Sequence, residues 1–488
     1  MMADMDIYSS ITDNKNKMET DFKDCSDFLL RECRVDGTDC IVCVLDGMVD
    51  SLQLSHMIMN PMLRFNGDYE TPAELFDILK TSVVNSLELS EITTYEDIYY
   101  FLASGFAIVF IDGVSKCLSL GIQGFTKRST DEPPTESDIK GAKECFTETL
   151  NDNKAILRRR IKTPDLKLKQ LKVGSAAQTS VVIAYIKGVA DDTLVSEVEQ
   201  KIKNAPITNL QDYGELADFL DSKISSYFSA VGNTERPDKL CSKLLEGRVA
   251  VIMDGSPFAI YVPYLFTDAF STVDDYDNLP FYATLNRLLK YIAFITSIVL
   301  PGFYVATGTF HQELIPTSLM YTIAAAEATT PFSLMQEALM VLVLYEIMRE
   351  AGIRLPKMIG HAVSIIGALV IGDAVVNAGL VGTPMLVVVA VTAIASYVIY
   401  PLYESISVLR IIFIILGGFT GIYGIVLGIC VICVNIAALN PYGVPYSAPV
   451  SPLSIKSIGD VFYRESWRKL AKRKVRIQNL RGVDIDEV

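Results

Sequence analysis

The stretch Ile411–Leu439, IIFIILGGFTGIYGIVLGICVICVNIAAL, contains no charged residue. A helix needs about 20 consecutive apolar residues to cross a bilayer, and this stretch exceeds that length. Met385–Ile399, MLVVVAVTAIASYVI, is equally free of charge. Outward from these two runs, the chain is almost continuously apolar from about Leu288 to Leu439. Everything before Leu288 has the composition of ordinary soluble sequence. This asymmetry predicts a soluble N-terminal module fused to a helical membrane block.

Bulk composition agrees. The 488 residues leave room for two or three domains. Hydrophobic residues make up 50% and mean hydropathy is +0.32, high for a soluble protein, yet 20% of residues are charged and lie mostly outside the apolar block. The net charge of −14 argues against nucleic acid as a partner, since phosphate binding needs a basic surface that displaces counterions. Met1–Lys23 is polar and acidic, without the basic start and apolar core of a cleavable signal peptide. The soluble module is therefore expected on the cytosolic side.

No constellation points to catalysis. The three histidines, His56, His311 and His361, stand in no ligand spacing, and no Walker A, G-x-G-x-x-G or G-x-S-x-G motif occurs. The expectation is a protein that is not an enzyme and holds no metal or cofactor. Cys40 and Cys43 have C-x-x-C spacing, but an alternating strand would send them to opposite faces. Cys430 and Cys433 repeat that spacing in the apolar block. All four read as small buried apolar residues, and unpaired thiols suit a reducing cytosol.

Three apolar runs end in Asp-Gly: Cys40–Leu45 before Asp46-Gly47, Phe106–Ile111 before Asp112-Gly113, and Val249–Met253 before Asp254-Gly255. The pair favours the positive φ of a tight hairpin turn, a sufficient role for each Asp. Ser180–Ile186 is a further strand, and Pro72–Leu87, Glu144–Arg159 and Ala190–Lys203 carry helical patterning. An α/β two-lobed soluble domain follows. Residues 1–35 are expected as a disordered or partly ordered N-terminus, 36–126 as the first subdomain and 127–138 (KRSTDEPPTESD) as a linker. Residues 139–285 form the second subdomain, 286–440 an α-helical polytopic membrane domain, and 441–488 a basic cytosolic tail. Within the second subdomain, Arg158, Arg159 and Arg160 read either as a solvated helix face or as an inter-subunit or lipid contact.

Six apolar pieces divide the membrane block: Leu288–Val305, Leu314–Pro331, Phe332–Arg349, Ile359–Val381, Pro384–Leu402 and Val408–Leu439, of which four are expected to span. Arg287, Lys290, Arg349, Arg354, Lys357, Arg410 and the cluster from Arg464 onward all favour the cytosol, which puts both termini there. An even number of crossings then requires re-entrant or interfacial segments among the pieces broken by proline.

Polar groups inside a membrane are costly and default to function. One helical stripe runs Val363, Ile366, Val370, Asp373, Asn377. Lining a path, it would present a hydrophobic constriction followed by a cation-favouring mouth. The alternative makes Asp373 a helix cap or the partner of another helix. Glu313, Glu327, Glu337 and Glu346 form a second group, with Arg349 and Arg354 as candidates for pairing, in a coupling or structural role.

Together these stretches resemble the A subunit of the GerA-type spore germinant receptors, over about residues 36–475. The resemblance is carried by Glu132–Glu136 (EPPTE), Phe146–Pro164 (FTETLNDNKAILRRRIKTP), Glu235–Asp238 (ERPD) and Pro301–Thr317 (PGFYVATGTFHQELIPT). Tyr345–Pro356 (YEIMREAGIRLP), Ser364–Gly379 (SIIGALVIGDAVVNAG) and Asn440–Pro452 (NPYGVPYSAPVSP) extend it. The chain departs from the family's usual Gly-Pro-Arg near Gly141-Ala142-Lys143, its basic residue near Glu327, and its Gln where Asp373 stands. The last two departures change charge inside the membrane block and put ion preference and partner pairing in question.

The resemblance implies a multi-pass subunit of the bacterial spore inner membrane, with soluble domain and C-terminus cytosolic. It implies a homo-oligomer acting as a nutrient-gated monovalent cation channel, beside a transporter-like B subunit and a lipoprotein C subunit, in contact with membrane lipid. Three alternatives stay open: a SpoVAF-like paralogue assisting ion release, a non-conducting scaffold, and a secondary transporter built on broken helices.

Overall fold

A computed structural model describes residues 5–84, 86, 88–124, 135–136, 140–221, 226–355, 372–454, 458–470, 476–480 and 482–483. The first lobe opens with helix α1 (Ile11–Asp21) and strands β1 (Phe28–Val35) and β2 (Thr38–Leu45). After short helical pieces come β3 (Leu89–Ile92), α2 (Tyr95–Leu102), β4 (Phe106–Ile111) and β5 (Cys117–Gly121). The second lobe follows the same plan: α3 (Leu150–Arg160), β6 (Leu166–Val173), β7 (Thr179–Ile186) and α4 (Asp192–Asn204). It closes with β8 (Gly232–Thr234), α5 (Pro237–Leu245), β9 (Val249–Met253) and β10 (Ala259–Val262).

Each lobe carries a five-stranded sheet, ordered β1-β2-β4-β5-β3 in one and β6-β7-β9-β10-β8 in the other. All pairings are antiparallel. Advancing every strand of the first order by five gives the second, so the lobes are topological copies. The copy extends to single hydrogen bonds. Asp112, in the β4–β5 turn, accepts the Ile11 amide that opens α1 (3.0 Å), and the Gly113 amide donates to Ser9. Asp254, in the β9–β10 turn, accepts the Leu150 amide that opens α3 (3.1 Å), and the Gly255 amide donates to Glu148. Each Asp thus joins its turn to a helix N-terminus, where orphan amides and the helix dipole favour a carboxylate. One turn further on, Asn14 and Asn153 are both buried and both clasp the backbone six residues back, at Tyr8 and Thr147.

Two of the three Asp-Gly pairs make the expected hairpins. Asp46-Gly47 has the positive φ at Gly47 but leads away from the sheet, because β2 pairs with β1 and β4. The β1–β2 hairpin turns instead at Asp36-Gly37, both at positive φ. The N-terminal boundary is also corrected: α1 and β1 belong to the first lobe, with Met18 fully buried and Phe22 at 5% exposure. The expected linker lies mostly outside the described residues. Its described members are fastened to the second lobe, Thr135 through its amide to Glu235 (2.8 Å) and Glu136 to Lys239 (2.7 Å). Cys40 and Cys43 do face opposite sides of β2, each into its own apolar cluster.

The apolar block holds α6 (Pro280–Thr309), α7 (Thr317–Glu327), α8 (Leu334–Arg354), a short helix at 372–377, α9 (Thr383–Tyr397) and α10 (Tyr403–Ala438). Among the described residues, two helices are long and apolar enough to cross a membrane: α6, and α10 with the turn before it (Tyr400–Ala438). At 1.5 Å per residue, α9 would reach only about 22 Å, short of a bilayer core. Most of Ile359–Val381 lies outside the described residues. The two long helices meet at glycine. A Cβ on Gly302 would stand 2.3 Å from the Phe413 carbonyl oxygen, and one on Gly417 would stand 2.3 Å from that of Gly302. α10 is interrupted at Gly421 (φ 66°, ψ −150°), a conformation that suits glycine alone. Phe281, Ile394, Phe419, Tyr423 and Val434 all point outward and are exposed on the protomer, a surface suited to lipid.

Candidate functional site

The second lobe and the apolar helices share one hydrophobic core. Leu168, Ala184, Leu240, Ile252 and Tyr261 of the lobe belong to the same cluster as Ile298 of α6 and Ile406 and Phe413 of α10. The segment after β10 makes the joint. Phe266 packs edge-on against Phe228 of the lobe and Phe294 of α6, at 5.9 and 5.5 Å between ring centres. Phe270 stacks on Tyr291 of α6 at 4.1 Å. Such pairs stabilise beyond the area they bury and hold an angle between elements.

The segment after α10 wedges into this joint and does not hang free. Tyr442 and Tyr446 are buried, the Phe266 amide donates to the Tyr446 carbonyl (3.0 Å), and the Tyr442 hydroxyl donates to Leu220 (2.5 Å). Further on, the Ile477 amide donates to Glu246 (2.9 Å) and Arg476 to the Gly188 carbonyl (3.0 Å). The described parts of the expected C-terminal tail thus pack back onto the second lobe. Arg464 is 4% exposed and lies over Tyr276 and Trp467.

Two ionic nodes pin the joint. Asp268 accepts hydrogen bonds from Arg248 Nη2 (3.0 Å), Lys243 (3.0 Å) and the Leu265 amide (2.9 Å), with Arg248 Nη1 in ion-pair contact at 2.7 Å. Burial alone would raise its carboxyl, but Arg248 and Lys243 override burial and hold it well below the usual carboxylate range. At the foot of α6, Arg287 is fully buried between Asp275 (2.9 Å) and Asp460 (3.0 Å), and Lys290 reaches Asp275 at 3.2 Å. Arg287 thus ties the first span to the C-terminal segment, and Lys290 ties it to the segment just before α6.

The predicted residues distribute as follows. Val363, Ile366 and Val370 lie outside the described residues; Asp373 and Asn377, one turn apart on the 372–377 helix, are both exposed on the protomer. Glu346 receives Arg349 (3.0 Å), Tyr403 (3.1 Å) and Ser407 (3.4 Å), which joins α8 to α10. Arg354 pairs with Glu350 (2.7 Å), and Glu313 lies 3.7 Å from His311 at the surface. Glu327 and Glu337 approach each other beside Gly382.

Arg158 is a correction. It is 1% exposed and forms a two-pronged pair with Asp27 (2.7 and 2.9 Å), so it ties the second lobe to the first and is available to neither lipid nor a second subunit. Arg159 and Arg160 share Glu144, the first half-buried and the second exposed. From the sequence Arg410 reads only as a cation flanking the last span, and its contact with α6 is not legible there. It is fully buried on α10, its Nε donates to the Ser297 carbonyl of α6 (3.1 Å), and its terminal nitrogens have no hydrogen-bond partner among the described residues. Its placement opposite Ser297 is the signal, and that depends on helix packing, not local sequence.

A duplicated two-lobed α/β module, built directly onto long apolar helices through a shared core, defines the class. Residues 16–476 match the family described as Bacillus/Clostridium GerA spore germination protein, and the chain belongs to that family. It is 36% identical over 472 residues to spore germination protein KA of Bacillus subtilis (strain 168), covering 96% of this chain and 86% of that protein. It is 35% identical over 476 residues to the uncharacterized membrane protein YfkQ of the same organism, covering 96% and 92%. Spore germination protein GerLA of Bacillus cereus is 30% identical over 457 residues, covering 93% and 92%. The crystal structure of the N-terminal domain of the A subunit of the Bacillus megaterium spore germinant receptor GerK3 is similar at 25% identity, with a TM-score of 0.41, over 54% of this chain and 99% of that one. The chain is thus a member of the spore germinant receptor A subunit family. Family membership and the two long apolar helices together put it among spore membrane proteins.

Proposed function

We propose that this chain is the A subunit of a nutrient-responsive receptor in the spore inner membrane and that it acts without catalysis. Copies of it assemble into an oligomer that opens a path for monovalent cations, alongside transporter-like B and lipoprotein C subunits. The observation that carries this reading is the shared core: a shift of the second lobe must move α6 and α10, because Phe266, Phe270 and Tyr446 leave no slack between them. A packed joint of this kind has discrete arrangements, so a modest bias at one site changes the other.

The stripe Val363–Asn377 is assigned to the path, with Asp373 and Asn377 exposed on the protomer where neighbouring copies would meet them. The multi-pass arrangement with both termini in the cytosol belongs to the same proposal. The test is potassium release from liposomes holding the purified full-length protein. Release that Asp373→Asn shifts in cation preference supports the reading. A correctly inserted oligomer that leaks nothing, with or without the B and C subunits, points to a scaffold.

A further inference from the structure

In the sequence α10 is one unbroken apolar run, but its two ends meet the same patch of the second lobe. Near its start the Ser405 hydroxyl donates to the Tyr227 carbonyl, and near its end the Asn435 side chain accepts from the Ser226 hydroxyl at 2.8 Å. A straight helix would hold Ser405 and Asn435 about 45 Å apart at 1.5 Å per residue. The middle of the helix agrees. A Cβ on Gly428 would stand 3.0 Å from Leu416 Cδ1 and 3.1 Å from the Phe413 ring. Along a straight helix those residues would lie about 18 and 22 Å away. The positive φ at Gly421 is therefore a reversal of direction, between a first arm at 403–420 and a return arm at 422–438.

α6 fixes the depth of the reversal. The first arm runs beside α6 in the same direction: Arg410 meets Ser297, Phe413 and Gly417 meet Gly302, and Gly421 lies against Phe310 and His311. A Cβ on Gly421 would stand 3.2 Å from His311 Nε2. Between Lys290 and His311 the chain carries no charge. That rise is about 30 Å, the thickness of a bilayer core. Beyond it Gln312 and Glu313 are exposed. Tyr423, beside the reversal, is exposed and of a type enriched at membrane surfaces. At the other end of the return arm, Tyr442 and Tyr446 bring the chain back to the second lobe.

We propose that α10 crosses the membrane twice, as a hairpin whose tip at Gly421 lies on the face opposite to the lobes, closed over by Phe310 and His311. The arms rise about 27 and 26 Å, at the short end of what spans a bilayer. Adjacent residues of the second lobe hold both arms, so a movement of that lobe reaches the far face along two helices at once. The inference rests on the membrane reading of the chain and is independent of conduction.

The test is one-sided labelling by a membrane-impermeant maleimide, in sealed vesicles that hold the full-length protein in one orientation, read by mass spectrometry at single introduced cysteines. Leu52→Cys marks the side of the lobes and Gln312→Cys the turn after α6, both at exposed positions. Thr420→Cys reports the tip, and Leu453→Cys, also exposed, reports the chain after α10. Reagent on the lobe side is expected to label Leu52→Cys and Leu453→Cys and to leave Gln312→Cys and Thr420→Cys unlabelled. Reagent on the other side should reverse the pattern. Tyr423→Cys, beside the tip, repeats the measurement where Thr420→Cys does not insert. Thr420→Cys labelled from the lobe side, or from neither side, overturns the double crossing. Leu453→Cys labelled from the same side as Gln312→Cys means a single crossing and overturns it too. Leu52→Cys and Gln312→Cys labelled together from one side would overturn the membrane reading itself, which keeps that failure distinct from failure of the hairpin.

Discussion

Arg158 illustrates how a residue's role is decided by a partner the local sequence does not contain. Three consecutive arginines suggest a surface, yet the middle of the lobe–lobe contact takes the first of them, because Asp27 stands 131 residues away in the chain and within 2.7 Å in space. Removing one partner of a buried pair leaves an uncompensated charge, at a cost of about 3–5 kcal/mol. Asp27→Ala should lower the unfolding midpoint of the full chain accordingly, and Asp27→Leu combined with Arg158→Met should recover most of the loss. If the single substitution melts like wild type, the clamp is not holding the lobes. Asp268 makes a pH prediction. Its carboxyl is held below the ordinary value of about 3.9, so its contribution is complete above that pH and is lost as pH falls through the depressed folded-state value. Asp268→Asn should therefore be less stable than wild type at neutral pH, with the gap closing below about pH 4. A constant gap across an acid titration of thermal stability would contradict the Arg248–Asp268 account. At the membrane stripe, Asp373→Asn should reduce cation preference in flux measurements, and an unchanged preference would remove this helix from the path.

Among the elements, local chemistry was legible and long-range pairing was not. The Asp-Gly turns at residues 112–113 and 254–255 were readable because a hairpin turn depends on two residues. Their second role, closing the N-termini of α1 and α3, needed the helices to arrive from far along the chain. α1 itself escaped notice because it is polar and buries little beyond Asn14 and Met18. The glycines of α10 are visible in the sequence, but the contact of Gly302 with Gly417, and the break at Gly421, emerge only when two helices cross. Gly302→Ala forces a methyl group into the Phe413 carbonyl. It should destabilise the helix pair by about 1–3 kcal/mol in a detergent melt, the usual effect of overpacking. Gly428→Ala, whose nearest contacts are the flexible side-chain ends of Leu416 and Phe413, should be milder. Equal tolerance at both positions would argue against the crossing.

At the scale of the molecule, a duplicated αββ–βαββ plan carries one lobe at the N-terminus and one fused to the helices. The change of composition at Leu288 announced the fusion but not its tightness, since composition marks where a membrane block starts and is silent on what packs against it. The C-terminal segment is the clearest case. Its basic residues mark a cytosolic tail but give no sign of its docking, whereas Tyr442, Tyr446 and Ile477 are buried and tie the segment to the second lobe. Lobe, helices and C-terminal segment therefore form one mechanical unit, and the joint at Phe266 is where a signal would pass. The most direct measurement is potassium flux from liposomes containing the purified full-length protein, for wild type and for Phe266→Ala at matched insertion. The account predicts flux in the wild type and an altered open fraction in the variant. No flux from an inserted wild-type oligomer, or identical flux from both proteins, would contradict it.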